Sequence, residues 1–219
     1  MRTLLTIVTL AVLSTGIAHA QTTAPAASKG YVEAVAQSAF GDATSQSYGV
    51  EAGVSVWKNL QVFGEFGQVR NTAPAALGTA AQVIAGFIGQ SQTGATFSVR
   101  QPVSFGAGGV KYLIPVTGVK VQPYVLGAFG MAKVSKDVAF FVGGSDVTAQ
   151  LATYGVVLGT DLSGEFTKPM LTFGGGLVWP VWHQVIVDFQ FRSSHISAED
   201  TDSTATTVNR AGIGIGIRF

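Results

Sequence analysis

Apolar side chains recur at every second position along most of this chain. Between residues 184 and 192, Val185, Val187, Phe189 and Phe191 share one parity. Gln184, Asp188, Gln190 and Arg192 hold the other, and Ile186 is the exception. At the end of the chain Ile213, Ile215, Ile217 and Phe219 alternate with Arg210, Gly212, Gly214, Gly216 and Arg218. Tyr48, Val50, Ala52, Val54 and Val56 alternate with Ser47, Gly49, Glu51, Gly53 and Ser55. A period of two is the mark of a strand with one apolar and one polar face. Five further windows repeat it less cleanly, and in one of them Phe63 takes the polar side. The pattern predicts strands over about 30–41, 46–57, 60–70, 97–114, 119–134, 168–179, 184–195 and 206–219.

The connections alternate in length. Trp57 to Leu60, Pro115 to Gly118 and Pro180 to His183 are short. The segments near 71–96, 135–167 and 196–205 are longer, and only the first of that set, near Asp42 to Ser45, is short. Short turns at one end and long loops at the other belong to outer-membrane barrels. The expected fold is therefore all-β: an eight-stranded antiparallel up-and-down transmembrane β-barrel with short periplasmic turns and longer extracellular loops. Trp57, Tyr112, Trp179 and Trp182, with Phe219, fall near the short-turn end, as an aromatic girdle at a headgroup boundary should.

Composition narrows the choice. Of 219 residues 47% are hydrophobic and 11% charged, with 13 Lys and Arg, 12 Asp and Glu and no Cys. A net charge of +1 argues against a nucleic-acid surface. The absence of Cys removes disulfides and thiolate chemistry. A soluble sandwich would normally carry more charge on its outer face. Met1-Arg2, the uncharged run from Thr3 to Ala18, and Ala18-His19-Ala20 predict a secretory signal over 1–20. A small-residue periplasmic tether over 21–29 and a barrel over 30–219 would follow. Losing Arg2 leaves 12 basic residues against 12 acidic. No helical span follows the signal, and lipid permits only helices or closed barrels.

In such a barrel the polar parity faces the lumen. It carries Glu33, Glu51, Glu65, Lys111, Lys120, Asp188, Arg192, Arg210 and Arg218. A Lys or Arg on the lipid face at the midplane would cost about 2–4 kcal/mol. An eight-stranded barrel is barely wide enough for its own side chains. Small residues on the same parity, including Gly53, Gly174, Gly176 and Gly214, are expected to make room for these charges. The set reads as a structural plug of ion pairs, or alternatively as a narrow path for small solutes or ions.

The C-terminal Phe219, preceded by Ile217, Ile215 and Ile213 at every second position, resembles the assembly signal of outer-membrane β-barrels. The segments 121–125 (VQPYV), 108–112 (GGVKY) and 187–192 (VDFQFR) resemble strands of the small opacity-protein/OmpA-like barrel family. The resemblance implies insertion by the outer-membrane assembly machinery, residence in the bacterial outer membrane, contact with its lipid, and no particular activity. It also sets an expectation that the chain lacks the peptidoglycan-binding domain many OmpA-type proteins carry. A monomer is expected.

One motif offers chemistry. His195-Ile196-Ser197 resembles the His-x-Ser of outer-membrane lipid A deacylases, in which His activates a Ser on the same face of a strand. That family usually has Asn after the Ser and an acidic residue on the final strand. Here Ala198 follows, and only Glu199 or Asp200 in the loop could orient the imidazole. His183, beside Trp182, reads as an interfacial residue. No His and carboxylates have ligand spacing, so neither a metal nor a cofactor is expected. The expected role is non-enzymatic: structural, or surface-interactive through the outer loops, where an extracellular ligand could bind. Those loops are apolar, with Leu77, Val83, Ile84, Phe87 and Ile88 in one and Phe140, Phe141, Leu151 and Tyr154 in the other. They predict either a partner or lipid contact, or a helix or hairpin folded over the barrel mouth.

Overall fold

A computed structural model describes residues 29–159, 162–197 and 206–219. The signal, all of the tether but Lys29, and Glu199 lie outside the described residues. The strands are β1 (Gly30–Phe40), β2 (Ser45–Trp57), β3 (Leu60–Val69), β4 (Ala95–Arg100), β5 (Val103–Leu113), β6 (Gln122–Val142), β7 (Ser145–Asp146), β8 (Gly164–Trp182), β9 (Val185–Ile196) and β10 (Thr206–Arg218). A helix α1 (Ala75–Gly89) precedes β4, and a 3-10 helix (Thr148–Tyr154) follows β7. All pairings are antiparallel. Strands β1, β2, β3, β5, β6, β8, β9 and β10 pair in that order, and β10 returns to β1. The result is a ring of eight strands. Closure leaves the ring itself without an edge strand, while β4 and β7 pair only with β6.

The alternation decides which side chains enter the ring. Ile213, Ile215, Phe189, Phe173 and Val125 lie exposed on its outside. Arg192 is 1% exposed and Asp188 0%, both inside. Ile186 and Phe63, which break the alternation, also point inward and are buried.

Three elements differ from the expectation. The strand expected over 97–114 is divided at Gln101-Pro102, where Pro has no N–H to give to the ladder. The register nevertheless runs straight through: Arg100 faces Asp137 and Val103 faces Val134. The Pro102 carbonyl accepts from Ser135 N–H at 3.0 Å, so β4 continues the line of β5. Second, β6 is far longer than 119–134, and β8 longer than 168–179. Third, the two long loops are structured. β6 turns into β7 through Gly143-Gly144, with φ of 57° and 83°. Two successive positive φ values match the twist of a tight hairpin, and Gly accepts them without a Cβ penalty.

α1 has no charged residue, and none occurs between Arg70 and Arg100. Its buried face is Leu77, Ala81, Ala85 and Ile88, at helical spacing. This face joins Val138, Phe140, Val147, Leu151 and Leu162 in a core separate from that of the ring. On β6, Val138 and Phe140 have the parity of Ala132 and Val134, which face the ring's interior. The outer core therefore sits on the inner face of an upward extension of the wall. The loops fold as a helix and a hairpin on this shared core, while Val83 and Phe87 of α1 stay exposed.

Candidate functional site: the charged interior

The interior is layered. Starting from the short-turn end, a cavity of about 60 Å³ is lined by Tyr31, Glu33, Lys111, Ile186, Asp188 and Arg218, among others. Above it lies a chain of ion pairs. Arg192 donates to Glu51 Oε2 through one terminal nitrogen and to Glu65 Oε2 through the other. Lys111 Nζ donates to Glu51 Oε1 at 2.6 Å and lies 3.7 Å from Asp188 Oδ2. Arg210 closes the set 3.4 Å from Glu65 Oε1 and 3.1 Å from Ser194 Oγ. Removing one partner of such a pair leaves a buried charge, whereas the intact network satisfies most of its members.

Aromatic rings wall this network. Lys111 Nζ is 4.6 Å from the Tyr31 ring centre and 4.4 Å from that of Tyr124, so the ammonium is held between two π faces. The same phenols donate to the acids: Tyr31 Oη to Glu51 Oε1 at 2.5 Å, and Tyr124 Oη to Asp188 Oδ2 at 2.9 Å. Arg210 stacks 4.3 Å from Phe105. Gln190 bridges the remaining acids, donating to Glu33 Oε1 at 2.6 Å and to Asp188 Oδ2 at 2.9 Å. The glycines make room as much for rings as for charges. A Cβ at Gly53 would lie 2.5 Å from the Tyr31 ring, and one at Gly214 would meet the Glu33 carboxylate at 2.9 Å.

At the outer end the interior turns apolar. Ala39, Val69, Val103, Ala132, Val134, Met170, Ile196 and Val208 are buried there in one cluster. Register aligns them: Val69 faces Val103, Val103 faces Val134, and Met170 faces Ile196. Interior parity thus predicts polarity only in the lower and middle layers.

Of the nine charges placed in the lumen from sequence, the structure brings Glu33, Glu51, Glu65, Lys111, Asp188, Arg192 and Arg210 together, all buried. Lys120 does not join them. It is exposed in the turn before Gln122, because β6 starts later than its apolar alternation implied. Arg218 stands at the mouth of the cavity, half-buried, and donates to the His183 carbonyl at 3.4 Å. Sequence reasoning missed Tyr31 and Gln190 as partners. Tyr31 lies two residues before Glu33 and Gln190 two after Asp188, so parity could have found both.

Trp57, Tyr112, Trp179 and Trp182 are all exposed at the short-turn rim. Trp57 pairs with Leu60, Leu60 with Tyr112, and Trp182 with Val185. Ile213, Ile215 and Ile217 face outward on β10, and Phe219, just past its end, is exposed. His195 and Ser197 are both exposed at the outer end. The partner of the His195 imidazole among the described residues is the Thr207 hydroxyl, 3.2 Å from Nδ1, and not a carboxylate. Among the described residues no cluster of three metal-ligating side chains occurs.

No protein-family model matches the chain, and no curated protein sequence does. Solved structures do. Neisserial surface protein A superposes with a TM-score of 0.56 at 18% identity, over 88% of this chain and 98% of that one. A major outer membrane protein from Thermus thermophilus gives 0.52 at 11% identity, covering 87% and 99%. The N-terminal β-barrel domain of Pseudomonas aeruginosa OprF gives 0.50 at 14% identity, covering 87% and 96%. The fold is that of small outer-membrane β-barrels.

Proposed function

We propose that this protein is an integral outer-membrane β-barrel without catalysis, of the opacity/OmpA-like kind, which presents its outer cap at the cell surface. The observation that carries the reading is the inversion of its faces. Aliphatic and aromatic side chains cover the outside while seven ions are buried inside. On β2 the outward apolar run from Val56 to Tyr48 spans roughly 20 Å along a barrel axis, at ~3.3 Å per residue and ~40° of tilt, against an apolar band of ~25 Å. A polar fringe follows at Gln46, Gln68, Ser104, Lys133 and Ser193. No described helix is long and apolar enough to cross a membrane, and a closed ring of strands is the other structure that satisfies its backbone groups in lipid.

The short-turn rim faces the periplasm in this reading, and the signal sequence and the terminal Phe219 serve export and assembly. The apolar layer and ion pairs close the interior, so planar bilayers should show no steady conductance. All 3 Trp lie on one rim. In vesicles, lipids brominated near the headgroup should quench their fluorescence more than lipids brominated near the acyl terminus. Equal quenching at both depths, or none, would overturn the membrane reading.

A further inference from the structure

The buried charges do not balance. Among the described residues the fully buried groups inside the ring, counted as ionised, are four acids, Glu33, Glu51, Glu65 and Asp188, against three bases, Lys111, Arg192 and Arg210. Glu51 and Glu65 share Arg192, Lys111 and Arg210 between them. Asp188 has Lys111 at the longer distance of 3.7 Å. Glu33 forms no ion pair among the described residues. Its Oε2 and Asp188 Oδ1 are both buried without a hydrogen-bond partner. Both acids line the same cavity near the short-turn end. Orphaned buried carboxylate oxygens are costly unless something meets them.

Resting on the reading that the interior is closed outward and opens to the periplasmic rim, we infer that this cavity is a binding site for one monovalent alkali cation, held by Glu33 and Asp188. The donors are hard oxygens, which suit alkali and alkaline-earth ions rather than soft metals. Among the fully buried groups, with half-buried Arg218 left out, the deficit is a single charge, which a monovalent ion cancels and a divalent ion overshoots. Lys111, already beside Asp188, further disfavours a second positive charge. A volume near 60 Å³ admits the ion with accompanying water. Arg218 at the mouth turns to the His183 carbonyl and forms no ion pair with either acid. Gly214 leaves room for the Glu33 carboxylate in this position, since a Cβ there would meet both Glu33 Oε2 and Gln190 Nε2.

The test uses the full-length chain folded in micelles, with sodium chloride replaced by N-methylglucamine chloride at equal ionic strength. A bulky organic cation cannot enter, so only sodium adds binding energy to the folded state. The unfolding midpoint should rise with sodium and saturate, and Glu33→Gln should abolish the rise while keeping the folded gel mobility. An equal midpoint in both salts overturns the proposal, as does a sodium effect retained in Glu33→Gln. A midpoint indifferent to the cation but raised by mild acid would assign a proton instead, and also overturns it. If Glu33→Gln does not fold, sodium NMR of the wild type decides. Excess line broadening by the folded over the heat-denatured protein supports the site, and none refutes it. Tryptophan quenching reads the membrane assignment separately.

Discussion

Arg192 holds the interior together. It is the largest of the fully buried side chains and serves Glu51 and Glu65 at once. Arg192→Met should lower the unfolding free energy by about 3–5 kcal/mol, because it strands charge in a low-dielectric interior. Adding Glu51→Gln removes an acid together with the base. Glu65 then keeps Arg210 and Asp188 keeps Lys111, so the double variant should regain more than half of the loss. Urea unfolding of micelle-folded protein measures both. Most of this network could be read from sequence, since Glu51, Asp188, Arg192 and Arg210 share the polar parity of well-patterned strands. Lys120 could not. The parity of Val121 and Val125 extends formally to residue 120, but three exposed turn residues, Thr117, Gly118 and Val119, precede it and no partner strand reaches it.

Among the elements, the outer cap carries its own core and should fail independently of the ring. Leu77→Asp places a carboxylate against Phe140 and its neighbours, where an unpaired charge is not tolerated. Limited proteolysis should then cut within 75–100, while heat-modifiable gel mobility, which reports the ring, stays unchanged. The hairpin also has an electrostatic pin. Thr148 N–H and hydroxyl donate to Asp146 Oδ1 at 2.9 and 2.6 Å, and hold this exposed carboxyl below the usual carboxylate range. A depressed folded pKa adds stability above the unfolded value, near 4, and loses it as pH falls through the folded one. The protection factor of the Thr148 amide, its exchange rate relative to an unstructured peptide at the same pH, should therefore fall below about pH 4, and Asp146→Asn should blunt that change. The cap was only half legible beforehand. Loop apolarity showed that something must be covered, but parity arguments stop where a strand outlives its lipid-facing run, as β6 does beyond Met131.

At the scale of the whole molecule, the inverted faces set where a charge is tolerated. Phe189 lies mid-belt on β9 and Val185 at its rim. Phe189→Arg should cost about 2–4 kcal/mol of folding free energy in lipid, and Val185→Arg about 0–1. Equal costs in reversible folding into vesicles would contradict the belt. The ring was legible because closure and alternation are both periodic properties. The apolar outer layer was not: Val69, Val103 and Val134 keep inward parity while abandoning inward polarity.

The unbroken register from β5 through Gln101-Pro102 into β4, alongside the long β6, has a practical use. Gly143-Gly144 sits at the tip of this ladder, exposed, with open space around both residues. Foreign peptide spliced between them would stand on a stiff stalk rooted in the wall, and with the cap facing outward as proposed, this tip is the place to display an epitope on a living cell.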